Sequence, residues 1–200
     1  LTKTTADDKD FAEQEQISRE KKSQTVKAAH TSYSKKFGDK AFSLGAKAST
    51  ALTYKTSNSK VATVDKNGKV TIKGVGTAKI TVTAKETDKY KKATKTITVK
   101  VAKAAPTIKT KVSSKTLKYA SVKKRSQRFT LGVTVNSKGT LTYKKTSGNS
   151  AISINSKTGK VSVKKGLKKG TYKVKIQIKA AAKGNYNSAG KTVTVTVKVK

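Results

Sequence analysis

The chain has 200 residues, and its 47 Lys and Arg against 10 Asp and Glu leave a formal net charge of +37. It has one histidine and no cysteine, which excludes disulfides and thiolate metal sites and removes most of the side chains that acid–base and nucleophilic catalysis draw on. Charge of this size attracts polyanions from a distance and argues for a surface that meets anions, not for an enzyme.

Residues 1–23 form a segment of their own. Six of the ten acids (Asp7, Asp8, Asp10, Glu13, Glu15 and Glu20) lie in the first twenty residues, whose net charge is −3. Asp7-Asp8-Lys9-Asp10 followed by Phe11-Ala12-Glu13-Gln14-Glu15-Gln16-Ile17 predicts a short helix with acids in its first turn, where the helix dipole favours them. Only Phe11, Ala12 and Ile17 could be buried, so the segment reads as an acidic linker or the end of a preceding domain. There is no methionine, even at position 1, which predicts a mature product or a piece of a longer chain. Neither a run approaching the ~20 apolar residues of a membrane span nor a signal peptide is legible.

From Gln24 onward the pattern is β. Val61-Ala62-Thr63-Val64, Asp65-Lys66-Asn67-Gly68 and Lys69-Val70-Thr71-Ile72 read as strand, turn and strand, with Asn-Gly supplying positive φ for a tight hairpin. Lys79-Ile80-Thr81-Val82-Thr83-Ala84 and Thr96-Ile97-Thr98-Val99-Lys100-Val101 alternate strictly, which predicts an antiparallel sheet with one wet face. The series then recurs. Leu52-Thr53-Tyr54-Lys55 returns as Leu141-Thr142-Tyr143-Lys144, Asn67-Gly68-Lys69-Val70 as Thr158-Gly159-Lys160-Val161, and Thr96-Ile97-Thr98-Val99-Lys100-Val101 as Thr194-Val195-Thr196-Val197-Lys198-Val199. The offset grows from 89 to 98 residues, and only in apparent loops. Two copies of this size match β-sandwich domains, not a solenoid. The lone proline, Pro106, puts the boundary at residues 102–106, giving domains at 24–102 and 103–200.

The first copy resembles the bacterial immunoglobulin-like domains of group 2. The residues that carry the likeness are Ser57-Asn58-Ser59-Lys60-Val61-Ala62-Thr63-Val64-Asp65, Gly68-Lys69-Val70-Thr71 and Gly76-Thr77-Ala78-Lys79-Ile80-Thr81. The second copy keeps Asn149, Ile152, Ile154, Gly159-Lys160-Val161 and Gly170-Thr171-Tyr172, and is a looser relative. The resemblance implies an all-β chain of two tandem immunoglobulin-like sandwiches behind a helical or linker segment. It further implies a secreted or surface-attached bacterial protein, in which such domains serve as stalks, spacers, adhesion modules or appendages. The family has no catalytic motif to carry over. A Lys–Asn isopeptide bond of the kind some surface modules form needs a buried acid, and the second copy has none.

Few residues could carry chemistry. His30 lacks partners at a recognisable spacing for a triad or metal site. Asp65-Lys66-Asn67-Gly68 is short of oxygen ligands for calcium and reads as a hairpin turn. Glu86 and Asp88 lie in a polar loop between lysines, with no apolar pocket to raise a pKa. Tyr54 and Tyr143 recur at matched positions and read as core, as do Tyr90 and Tyr186, candidate corner tyrosines. The expectation is no catalytic residue, no metal and no cofactor.

The lysines are left. The last 112 residues carry 30 Lys or Arg and no acid. In Tyr172-Lys173-Val174-Lys175-Ile176-Gln177-Ile178-Lys179 the apolar residues point inward, so Lys173, Lys175 and Lys179 line the outer face at steps of ~6.8 Å. Loops add Lys123-Lys124-Arg125, Arg128, Lys164-Lys165 and Lys168-Lys169. Lysine also suits outer faces because it discourages edge-to-edge aggregation, although solubility alone is served by mixed signs. These eleven side chains are the candidate polyanion-binding residues. Wall teichoic acid, acidic or sulfated glycans and non-specifically held nucleic acid are the expected partners, with a host surface protein as a further candidate. The leading reading is a non-enzymatic extracellular stalk or adhesion module. A dedicated nucleic-acid binder is the alternative, weakened by 44 Lys to only 3 Arg when base reading favours Arg. An accessory region of a secreted enzyme is the third.

Overall fold

Strands form here where apolar residues alternate with Thr, Ser and Lys, because a period of two lets one face enter a core while the other stays wet. The computed structural model describes residues 13, 15, 16 and 20–200, so the helix expected over residues 7–17 falls largely outside the described residues. The chain divides into two compact units between Lys103 and Ala104.

The first unit carries β1 (Ser32–Lys36), β2 (Phe42–Ser43), β3 (Leu52–Thr56), β4 (Ala62–Val64), β5 (Lys69–Ile72), β6 (Gly76–Ala84) and β7 (Ala93–Ala102). They pair as a four-stranded sheet, β1-β7-β6-β3, and a three-stranded sheet, β2-β5-β4. Leu44, Val70, Ile80, Val82, Ile97 and Val99 are fully buried in the core between them.

The second unit contains β8 (Ile108–Thr110), β9 (Ser114–Leu117), the helix α1 (Tyr119–Lys124), β10 (Gln127–Thr130), β11 (Val133–Val135), β12 (Leu141–Ser147), β13 (Ile152–Ile154), β14 (Lys160–Val163), β15 (Gly170–Ala180) and β16 (Ala189–Val199). Its sheets β12-β15-β16-β9 and β10-β14-β13 repeat the first unit's orders, and β8 and β11 add a two-stranded sheet. Both units are β-sandwiches, the second with one short helix between its strands.

Three expectations need correcting. The four-stranded sheets are mixed, because β1 runs parallel to β7 over five residue pairs and β9 parallel to β16 over four. Each parallel partner lies at the far end of its unit's chain, so no local turn announces it. Lys21 and Lys22 belong to the first sandwich, not to the leader. The Lys22 N–H donates to Lys89 O (2.9 Å), the Lys91 N–H donates to Lys22 O (2.9 Å), and Lys21 pairs with Glu86 at 2.5 Å. The second unit repeats the backbone clip, Ala104 N–H to Asn185 O and Asn187 N–H to Ala104 O, with Tyr186 placed as Tyr90 is in the first. Lastly, Lys123 and Lys124 stand in the last turn of α1, not in a loop. That helix exists because Val122 buries completely while Tyr119 packs against the same core.

The two hairpin turns use glycine alone for positive φ, Gly68 at +73° and Gly159 at +67°. Each glycine lies under a tyrosine ring. A Cβ on Gly68 would stand 2.8 Å from Tyr54, and one on Gly159 2.6 Å from Tyr143. Burial raises the pKa of both phenols, with the Asp65 charge a lesser cause at Tyr54.

A few lysines share the inward face of a strand, among them Lys35, Lys95 and Lys145. Lys145 pairs in register with buried Ile176, and its Nζ donates to Asn149 O and Ile152 O, both at 2.8 Å. Thr56 holds the equivalent place in the first unit and donates to Ala62 O at 2.9 Å. Each ties its four-stranded sheet to the first residue of a strand in the facing sheet, β4 or β13. Lys145→Met keeps the apolar stem and leaves both carbonyls without their charged donor, so a loss of about 1–2 kcal/mol is expected in urea denaturation. Lys144→Met, on the exposed face next door, is expected to stay within about 0.5 kcal/mol of the parent.

Candidate functional site

Seven of the eleven candidate bases meet at one pole of the second unit. α1 begins where the chain ends, with the Tyr119 N–H donating to Lys200 O. Lys123 and Lys124 occupy its last turn, where the negative end of the helix dipole favours cations, and Arg125 follows with its N–H on Ser121 O. The loop between β14 and β15 is held against this segment through its backbone. The Gly166 N–H donates to Val122 O at 2.9 Å, and the Lys165 N–H to Ser126 Oγ at 3.2 Å. Farther along, Tyr172 donates its hydroxyl proton to Lys168 O (2.9 Å), and Lys169 Nζ stands 5.8 Å from the centre of the Tyr119 ring. Lys123, Lys124, Arg125, Lys164, Lys165, Lys168 and Lys169 are all exposed there. The loop is rigidly anchored while its ammonium groups stay in water, which suits long-range attraction.

Arg128 points outward from β10, in register with Ser162 and beside this pole. Lys173, Lys175 and Lys179 do not join it. They project from β15 on the outer side of the other sheet. The eleven residues therefore divide between a pole and a face. Strand register adds two lysines that local patterning did not single out, Lys198 opposite Thr171 and Lys144 opposite Gln177.

The remaining candidates have ordinary work. Asp65 Oδ1 accepts the N–H groups of Asn67 and Lys69, both at 2.9 Å, so its carboxylate organises the hairpin. The hydrogen bond and charge of Lys21 hold the Glu86 carboxyl below the usual carboxylate range. His30 is exposed and meets Tyr33 edge-on at 5.4 Å. Among the described residues no three His, Cys, Asp or Glu lie close enough to hold a metal, and no helix is long and apolar enough to cross a membrane. Two open clefts of about 420 and 430 Å³ meet at Ser49 in the first unit. The first is lined by Gln24 and Lys47, the second by Asp88 and Tyr90, and both by hydroxyl groups.

Residues 40–86 match the family model of the intimin immunoglobulin-like domain. Similar solved structures include human protocadherin-24 EC1-2, at 18% identity over 88% of this chain and 97% of that one, with a TM-score of 0.43. Drosophila N-cadherin EC1-4 is 12% identical over 88% of this chain and 50% of that one (TM-score 0.41). A SusE-like surface-located polysaccharide-binding protein from the heparin utilisation locus of Bacteroides thetaiotaomicron is 15% identical over 87% and 34% (TM-score 0.33). No curated protein matches the chain.

Proposed function

We propose that this chain is a non-catalytic, extracellular pair of immunoglobulin-like modules, a stalk or adhesion segment of a bacterial surface or secreted protein, that holds anionic polymers by charge. The intimin-type match over residues 40–86 supports the setting, and the group 2 likeness around Ser57-Asn58-Ser59-Lys60 belongs to the same reading. The observation that carries polyanion binding is the basic pole. Seven exposed bases sit on a loop and helix segment joined through the loop's N–H groups, to Val122 O and Ser126 Oγ, in a 112-residue stretch without a single acid. Ammonium groups act as point charges without Arg's planar fork, so the reading predicts little dependence on base sequence. Teichoic acid, acidic and sulfated glycans and nucleic acid would each be held through their phosphates, sulfates or carboxylates, and a host surface protein would be met through its anionic glycans.

The test is a panel of teichoic acid, heparin, hyaluronate and duplex DNA, titrated with the whole chain at 50 and 200 mM salt. Binding to several polyanions that weakens steeply with salt is the expected result. Six or more phosphate contacts would lower affinity for DNA by about three orders of magnitude over that range. Affinity confined to one polymer and indifferent to salt would replace this reading with a shaped pocket.

A further inference from the structure

The two sandwiches allow one face to be compared strand by strand. Leu52 pairs with Ala84 in the first unit as Leu141 pairs with Ala180 in the second, so β6 and β15 are the same strand. Facing outward on β6 are Thr77, Lys79, Thr81 and Thr83; β15 is two residues longer, and facing outward on it are Thr171, Lys173, Lys175, Gln177 and Lys179. The first unit scatters its lysines on this face among strands, with Lys36 on β1, Lys55 on β3, Lys79 on β6 and Lys100 on β7. The second unit sets three in line along one strand. Hydroxyl groups flank the line, with Thr196 across from Lys173, Thr194 across from Lys175 and Thr142 across from Lys179.

We propose that this face of β12-β15-β16-β9 is a docking rail for an extended, single-chain phosphodiester polymer of the poly(polyol phosphate) kind, lying along β15. The proposal rests on the polyanion reading above and specifies the ligand that this face takes. Directly opposed residues on neighbouring strands stand about 5 Å apart, so an ammonium and a hydroxyl can both donate to the free oxygens of one phosphate. The Lys173–Thr196 and Lys175–Thr194 pairs repeat along the strand at about 6.8 Å. An extended phosphodiester chain offers charges in a single row, as the rail does. A duplex instead carries its phosphates on a curved surface that a flat sheet meets at few points. Sugars and bases gain no specific partner here, since the face has no Trp, Tyr, Phe or Arg to stack on or read them. From Lys173 to Lys179 the rail runs about 20 Å, so affinity should rise with polymer length up to that span and then level.

The experiment compares two variants of the whole chain with equal loss of charge. Lys173→Thr with Lys179→Thr changes two exposed positions to the residue that β6 mostly carries on its outward face, so folding should persist. Lys164→Thr with Lys168→Thr removes two charges from the pole. Each is titrated with poly(glycerol phosphate) fractions of graded length, with duplex DNA as the comparator, and each is checked for folding by circular dichroism. The rail variant should lose about fivefold or more in affinity for poly(glycerol phosphate) and flatten its salt slope by about 1.4, two single-strand contacts at 0.7 each. The pole variant should change by less than about twofold on that polymer and lose more on duplex DNA. Equal losses from both variants on poly(glycerol phosphate) would overturn the rail and leave the polyanion reading standing. Failure of the parent protein to bind any polyanion in the panel would remove both.

Discussion

Replacing Lys164, Lys165, Lys168 and Lys169 together by Gln is expected to weaken binding to duplex DNA and heparin sharply and to flatten its salt dependence, without unfolding the protein. If all four ammonium groups neutralise phosphates, the log–log slope on DNA falls by about 3.6, which is about two orders of magnitude of salt sensitivity between 50 and 200 mM. The fold should tolerate the change because what anchors this loop is backbone. The Lys164 N–H donates to Ala151 O, the Lys165 N–H to Ser126 Oγ and the Gly166 N–H to Val122 O. The four side chains are exposed. Relief of self-repulsion should leave the melting temperature unchanged or slightly higher. Affinity that survives the four substitutions, at any salt, would show that the pole is not where anions bind.

Gly159→Ala is expected to destabilise the second sandwich by about 2–6 kcal/mol. A left-handed backbone without glycine costs about 1–3 kcal/mol, and forcing a methyl group into a packed ring adds about 1–3. Here φ is +67° and the new Cβ would lie 2.6 Å from the Tyr143 ring, which is only 9% exposed and has little room to retreat. Gly166→Ala separates the two causes. Its φ is +83° but nothing stands within 4 Å of the new Cβ, so only the backbone strain remains. Urea denaturation should therefore rank Gly159→Ala well below Gly166→Ala in stability. Equal losses would mean that the tyrosine ring moves aside and that the turn alone matters.

β4 to β7, β15 and β16 were legible because they set Val, Ile or Ala inward and Thr or Lys outward at the period of a half-buried strand, whereas β1, β2 and β9 carry too few apolar residues to show it. Tyr54 and Tyr143 could be placed in the core because they recurred at matched positions, although their role as covers for Gly68 and Gly159 required coordinates. Other features leave no local trace. α1 rests on two apolar residues, Tyr119 and Val122, too few to establish a helical period among the lysines around them. Lys144 and Lys145 are chemically identical neighbours, yet one meets solvent and the other seals the space between sheets, and only the pairing with Ile176 tells them apart. For the same reason the eleven bases looked like one population. Their division between pole and face depends on which sheet each strand joins, a fact carried by contacts between residues far apart in the chain.

The parallel edge pairs bear on how each sandwich answers a pull. β1 enters the first unit and β7 leaves it, and the two lie side by side in the same direction from Ser32 opposite Thr98 to Lys36 opposite Ala102. Tension applied across the unit's ends would draw these strands lengthwise in opposite senses, so the rungs between them would be loaded together and not peeled one at a time. β9 and β16 repeat the arrangement. The first sandwich thus fastens its first strand to its last by a lap joint, whose resistance to shear comes from the rungs acting at once, and the second fastens β9, the strand after β8, to β16 in the same way.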